Sequence, residues 1–466
     1  VTEPSALEWV ARLRAGELSA RELAEHYLDR MWSADERVHA VLACDRERVL
    51  ADADAADRRL AAGGVDDDPP PLLGLPVTVK DSIEVAGLRC TGGSVARRDH
   101  VPTEDATVVR RLRTAGALVL AKTNLPELSC SYETDNAVHG RTDHPLDPAR
   151  TPGGSSGGEA ALLGADASPL GLGTDGGGSI RLPAHYCGLV GLRPTAGRVP
   201  GTGIWPPTRA SGLMDIMTAG PMGRTVADVA ALAAVIGGPD DVDFYARPVP
   251  FGDPDRVRVD GLRIGWHRGT GPVPVSPGTR DAVERVARVL ADAGAEVTEV
   301  DPPPWAADAT ELFFAASGAD GGAAMRAQVA GAGGAHHPQF VALLESFPER
   351  PPSAAEWFEL QERIFEFRSR VRRWVAGYDA VVTPVCTGPA PEHGRPPYGV
   401  DPADYLRYLA HNDTHVYSVA GLPALSVPAG SEHGLPIGVQ VAAPAWREDL
   451  ALAVGSVIEA VEPSSK

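Results

Sequence analysis

Two serines set in glycine-rich turns are the residues of this 466-residue chain best placed to do chemistry: Ser155, within Gly153-Gly-Ser-Ser-Gly-Gly158, and Ser179, after Gly176-Gly-Gly178. A serine hydroxyl is a weak nucleophile until a neighbouring base takes its proton. Glycine, lacking a Cβ, lets backbone N–H groups come close to a ligand. Together these features suit a covalent reaction in which main-chain donors meet the developing charge. A flexible Gly/Ser linker is the plain alternative, but a linker does not enclose an apolar run such as Ala160-Ala-Leu-Leu163 or a strand-like Leu170-Gly-Leu172.

Several chemistries can be set against these turns. Gly153-x-Ser155-x-Gly157 and Gly154-x-Ser156-x-Gly158 both fit the G-x-S-x-G of a nucleophile elbow. An elbow follows a strand directly, however, whereas His144 to Pro152 is a proline-broken loop, and His185, His393, His411 and His415 have no spacing that marks a catalytic base. A phosphate-binding loop lacks its G-K-[ST], and no G-x-G-x-x-G opens a helix after the first strand. Zinc lacks an H-E-x-x-H or a Cys/His cluster, so neither metal nor cofactor is expected. The remaining reading needs a lysine on a buried strand, and Val77-Thr-Val-Lys80 supplies one. Burial disfavours the charged ammonium and lowers its pKa toward the range where a lysine can act as a base.

On the stretches GLPVTVKDS, TPGGSSGGEAALLGADASPLGLGTDGGGSIRLPAHYCGLVGLRPT and GLPIGVQVAAPAWRED, the chain resembles the amidase signature family of serine hydrolases. The likeness runs from the N-terminal helices to the last helix and is weakest between Pro302 and Arg373. It implies a nucleophile at Ser179, a bridging serine at Ser155 held through a cis peptide bond, and a general base at Lys80. It also implies a reaction that cleaves linear carboxamides to a carboxylate and ammonia or amine through an acyl-enzyme. Backbone N–H groups of Gly176, Gly177, Gly178 and Ser179 are then the expected oxyanion donors, each worth about 3 kcal/mol of transition-state stabilisation. Thr174, Asp175 and Arg181 are expected to brace the loop, Ser156 to hydrogen-bond near Lys80, and Ser129, Cys130 and Ser131 to border the substrate. Gly176 departs from the larger residue usual in the family, which points to a roomier site or a looser loop.

Within the family, Glu159-Ala-Ala-Leu-Leu and Ser168-Pro-Leu-Gly-Leu-Gly-Thr-Asp are closer to the general amidase and fatty-acid-amide-hydrolase-like branch, with an aryl or alkyl acyl amide as substrate. The alternatives are a glutaminase-type amidotransferase subunit that delivers ammonia to a partner, and a catalytically silent scaffold on the same fold.

The elements needed to hold these residues are legible as an α/β pattern. Ser5 with Glu8 and Ser19 with Glu22 are capping boxes of an N-terminal helical region, residues 1–68. A catalytic core over 72–230 follows, with strands at Leu73–Lys80 and Ala117–Lys122 and a helix between them that Gly116 ends. Residues 302–374 form a variable region rich in aromatic side chains, with a Gly/Ala-rich loop at Gly318 to Gly334, suited to wall a substrate pocket. The expected fold is a single amidase-type domain over 1–466, a large mixed β-sheet flanked by helices on both faces.

A net charge of −19 disfavours nucleic-acid phosphates and anionic lipid. Five widely spaced cysteines with no C-x-x-C read as reduced thiols. The N-terminus has no signal-like segment and no stretch approaches ~18 consecutive apolar residues, so a cytoplasmic protein without membrane or nucleic-acid partners is expected. Its partner is a small amide, and the reading allows a homodimer.

Overall fold

The computed structural model describes residues 3–62, 69–207, 215–269, 273–400 and 413–461. His411, among the histidines weighed above, lies outside them, as do residues 63–68 at the end of the N-terminal region.

The chain opens on α1 (Ala6–Ala15) and α2 (Ala20–Val38). The Ser5 and Ser19 hydroxyls accept from the N–H of Glu8 and Glu22, and those glutamates accept from the serine N–H groups in return, so both capping boxes form. After β1 (Val41–Ala43), α3 (Arg46–Ala61) buries Val49, Ala53 and Ala56 and leaves most of its charged side chains toward solvent. The next stretch alternates strand and helix: β2 (Pro76–Lys80), α4 (Thr107–Thr114), β3 (Leu118–Thr123), α5 (Gly157–Gly164), β4 (Leu170–Asp175), α6 (Arg181–Cys187), β5 (Val190–Arg193), β6 (Thr218–Gly223) and α7 (Val226–Ile236). There follow β7 (Arg263–Trp266), α8 (Pro277–Asp292) and β8 (Glu296–Glu299). The variable region holds α9 (Asp308–Ser317), α10 (Ala323–Gln328), α11 (Pro338–Ser346) and α12 (Ala354–Val375). The chain closes with β9 (Ala380–Pro384), α13 (Thr414–Ala420), β10 (Ala424–Glu432), β11 (Leu435–Ala442) and α14 (Glu448–Val461).

All eleven strands join one mixed sheet in the order β1-β3-β2-β4-β6-β5-β10-β11-β9-β7-β8. β3, β2 and β4 run parallel, as do β9, β7 and β8, and the strands between are antiparallel. Helices cover both faces, and β9 shows why: successive side chains of a strand point to opposite sides. Ala380 and Val382 pack with α8 and α14, whereas Val381 between them packs with α12 and α13. A strand buried on both faces reads as a continuous apolar run, which is how Ala380-Val-Val382 reads.

Gly318 to Gly334 departs from the loop expected there. Gly322, at φ 78°, turns the chain into α10, whose Ala-Ala-Met-Arg-Ala-Gln favours helix, and a 3-10 turn follows at Ala330–Ala332. β5 and β6 are strands the pattern did not reveal, because Val190-Gly-Leu-Arg and Thr218-Ala-Gly-Pro-Met-Gly are short and glycine-broken. No helix among the described residues is long and apolar enough to cross a membrane. All five cysteines are free thiols, with Cys90, Cys187 and Cys386 buried and Cys44 and Cys130 half-buried.

Candidate active site

Lys80 is the last residue of β2, which lies between β3 and β4 in the sheet, and is fully buried. Its Nζ donates to Ser155 Oγ at 2.6 Å and to Thr174 Oγ1 at 2.9 Å. β4 runs parallel to β2, which places Thr174 where it can hold the lysine. Burial pushes the Lys80 pKa down to about 7, against the pull of the Asp175 and Glu159 carboxyls. Near neutral pH the amine is thus available as a base, a state that an exposed lysine reaches only near pH 10.

The two serine turns meet through the backbone: Ser156 N–H donates to the Ser179 carbonyl at 3.0 Å. Ser155 follows a cis Gly154–Ser155 peptide and is fully buried. The first turn is packed too tightly for side chains; a Cβ on Gly158 would lie 2.4 Å from the Asn124 backbone nitrogen. Ser156 exchanges hydrogen bonds with the Thr174 backbone, N–H to Oγ at 3.4 Å and Oγ to O at 3.3 Å. It therefore supports the strand residue that grips Lys80 and does not touch the lysine itself.

Ser179 sits between β4 and α6, 8% exposed, on the wall of a cleft of about 900 Å³ with its mouth included. Its hydroxyl makes no hydrogen bond to any described residue, so the line Lys80–Ser155 is closed and the line Ser155–Ser179 is open in this structure. Catalytic hydrogen bonds of substrate-free enzymes often stand open in this way and tighten in the complex. The N–H groups of Gly176, Gly177 and Ser179 likewise donate to no acceptor among the described residues. Gly178 is different: its N–H donates to Asp175 Oδ1 at 2.8 Å, which removes it from the expected oxyanion donors.

Asp175 organises the second turn. Besides Gly178, it accepts the N–H of Ile180 at 3.2 Å and Nε and Nη2 of Arg181 at 3.0 Å each. Burial alone would raise its pKa, but Arg181, with Arg193 beyond it, holds the carboxyl down at about 2. Arg181 is itself buried and reaches on to Gln440 Oε1, Ser418 Oγ and the Thr414 carbonyl. The loop bearing Ser179 is thereby fixed to β11 and α13.

Four contributors that the sequence did not disclose complete the site. Glu159, in the first turn of α5, is fully buried and accepts the hydroxyls of Thr78 at 2.6 Å and Thr123 at 2.7 Å. Thr78 shares the Lys80 face of β2, and Thr123 pairs with Lys80 across β3, so this carboxyl lies beneath the lysine. Burial raises its pKa to about 7. Tyr132 and Thr414 both donate to the Gly177 carbonyl, at 2.7 Å and 2.6 Å. Behind Tyr132 stands His415, buried and stacked on Phe313 at a centroid distance of 4.6 Å. Glu159 lay inside the recognised stretch and Tyr132 beside the predicted Ser129–Ser131, but no local pattern pointed to His415.

The cleft walls come from the elements expected. Ser129, Cys130 and Ser131 line it, as do Phe313 and Phe314 of α9 and Met325 of α10. Met217 accounts for the glycine at 176: a Cβ there would fall 2.2 Å from the Met217 sulfur, so this methionine occupies the space a larger residue would need. The arrangement sets a serine hydroxyl, a buried amine held by a second serine, and main-chain N–H groups with no acceptor among the described residues at the wall of an apolar cleft.

The Amidase family model matches residues 22–452. The chain is 34% identical over 480 residues to a glutamyl-tRNA(Gln) amidotransferase subunit of Synechococcus sp. (strain CC9311), covering 97% of this chain and 96% of that protein. Among solved structures, it is similar to one from a vestigial protein complex described as revealing the evolutionary origins of an s-triazine catabolic enzyme. That similarity has a TM-score of 0.87 and 31% identity, over 98% of each chain. It is also similar to a bacterial aryl acylamidase of the amidase signature family, with a TM-score of 0.87 and 25% identity over 99% of this chain and 96% of that one.

Proposed function

This chain belongs to the amidase family, and from that premise we propose that it hydrolyses linear carboxamides through an acyl-enzyme on Ser179, with Lys80 as general base acting through Ser155. The observation that carries the reading is the 2.6 Å contact between a fully buried Lys80 Nζ and Ser155 Oγ, in the turn whose backbone meets that of the cleft-lining Ser179.

In this reading Ser179 Oγ attacks the amide carbon while its proton passes to Ser155 Oγ, and the Ser155 proton passes to the Lys80 lone pair. The carbonyl oxygen, now an oxyanion, is met by the N–H groups of Gly176, Gly177 and Ser179. Collapse breaks the C–N bond, and the proton held on Lys80 returns through Ser155 to the departing nitrogen. Water then attacks the Ser179 ester by the same relay, releasing the carboxylate and restoring the serine. Thr174 Oγ1 keeps Nζ in place throughout, and Asp175 with Arg181 keeps the loop from following its nucleophile.

The aromatic and aliphatic lining favours an aryl or alkyl acyl amide, the kind of substrate expected of a general amidase. The test is a screen of aliphatic, aryl and amino-acid amides for ammonia or amine release, with Ser179→Ala as blank. Release from at least one amide that the blank leaves intact is the expected result. Equal release by the blank from every amide hydrolysed would overturn the reading.

The similarity to an amidotransferase subunit supports a second reading, in which the chain is a glutaminase that passes ammonia to a partner. It predicts that the purified chain releases ammonia from glutamine only when a partner protein is supplied. Turnover of alkyl or aryl amides by the chain alone favours the first.

A further inference from the structure

The polar groups on the cleft wall fall into two sets once their partners are counted. Most are satisfied within the protein: Cys130 Sγ donates to the Leu128 carbonyl, Ser131 Oγ to Gln339 Oε1 at 2.7 Å, Tyr132 Oη to the Gly177 carbonyl, and Ser317 Oγ to the Phe313 carbonyl at 2.7 Å. Apart from the reacting group Ser179, two cleft-lining side chains are not. Ser129 Oγ and Gln328 Oε1 are both shielded from solvent and have no hydrogen-bond partner among the described residues.

The backbone shows that the Ser129 position is built. Leu128 and Ser129 both adopt the left-handed region, at φ 55° and 59°, which non-glycine residues seldom occupy and two in succession still less. The turn is anchored from below by Glu127, which accepts from His336 Nδ1 at 3.0 Å and the His337 N–H at 3.1 Å, the residues that lead into α11. Gln328 closes α10 on the same cleft. Around both, the wall is apolar: Leu128, Phe314, Met325 and Leu343.

An unpaired polar atom in such surroundings is costly, and a ligand group that pairs with it gains what the protein has left unmet. We propose that Ser129 and Gln328 form a recognition site for the non-reacting body of the substrate, and that the amides hydrolysed carry an O–H or N–H donor on an otherwise apolar acyl or amine group. Gln328 Oε1 accepts from that donor, and the Ser129 hydroxyl offers a second polar contact on the same cleft wall. Ser179 still performs the chemistry, so the inference rests on the amidase reading above and adds the class of substrate.

The experiment compares two pairs of amides with the purified chain: an alkanamide against the ω-hydroxyalkanamide of equal length, and an N-alkyl amide against its ω-hydroxy counterpart. The ratio of kcat/KM within each pair is measured for wild type, Gln328→Leu and Ser129→Ala. Wild type is expected to prefer the hydroxylated member of at least one pair by about tenfold or more, and Gln328→Leu to lose that preference. Because each ratio is taken within one variant, loss of folded protein cancels. No preference in wild type, or a preference that both variants retain, overturns the inference while leaving the amidase reading standing. Hydrolysis of none of the four by wild type, while another amide is cleaved at Ser179, overturns this site alone; if no amide is cleaved at Ser179, the amidase reading fails and this site with it.

Discussion

Tyr132 Oη lies 2.9 Å from His415 Nε2 and 2.7 Å from the Gly177 carbonyl, so the tyrosine spends its one proton on Gly177 and must accept from the histidine. His415 therefore carries its proton on Nε2 and leaves Nδ1 to accept the Thr310 hydroxyl at 2.9 Å. Burial drives its pKa down to about 3, which keeps the ring neutral at any working pH. A directional chain thus runs from α9, on the cleft wall, to the turn that bears Gly176, Gly177 and Ser179. Tyr132→Phe removes the proton that orients Gly177; kcat is expected to fall about tenfold, the cost of about one hydrogen bond, with KM little changed. A raised KM with kcat intact would assign Tyr132 to substrate contact instead.

Glu159 bears on the base. Its carboxylate favours the charged form of Lys80, and a neutral amide in its place does not. Glu159→Gln should lower the Lys80 pKa further, so that the amine stays unprotonated to lower pH. The acid limb of kcat/KM, expected near pH 7 in wild type, moves down. A limb that stays in place or moves upward would show that Glu159 does not reach the lysine electrically.

Gly176→Ala directs a methyl group at the Met217 sulfur, 2.2 Å away. Methionine is flexible and can yield, but it lines the cleft and can yield only by narrowing it. The variant is expected to keep its fold and to raise KM for bulky acyl amides more than for small ones. Met217→Ala added to it should restore the bulky substrates. Equal effects on both sizes would place the damage in the oxyanion turn.

Asp175→Asn leaves buried Arg181 without its carboxylate. Stripping one partner from a buried ion pair destabilises by about 3–5 kcal/mol, so urea denaturation should show a large fall in midpoint. A loss under about 1 kcal/mol would mean that the Arg181 contacts to Gln440 and Ser418 suffice.

Much of this was legible in the sequence because its signals are local. Capping boxes, the alternation of helix with apolar strand, and the two glycine turns each depend on residues a few positions apart. The dense glycines around Ser155 correspond to places where neighbours leave no room for a Cβ. Lys80 was readable because it closes a short, largely apolar strand, Val77-Thr-Val79. What escaped depends on distant partners: His415 meets Tyr132 across 283 positions of sequence, and nothing near either one announces it. Gly178 was expected among the oxyanion donors because only the folded turn shows that Asp175 has already taken its N–H. The helix at Ala323–Gln328 was hidden by the glycines on either side, which end and begin structure there rather than dissolve it.

The claim on which the rest depends is that Lys80 removes the Ser179 proton by way of Ser155. The direct measurement is the pre-steady-state rate of Ser179 acylation against pH, wild type beside Lys80→Ala, with an amide that the Ser179→Ala blank does not cleave. Wild type should rise with pH through an apparent pKa near 7, and Lys80→Ala should be slower by about 10²–10⁴-fold without that inflection. Acylation by Lys80→Ala at the wild-type rate, with the inflection retained, would contradict the account.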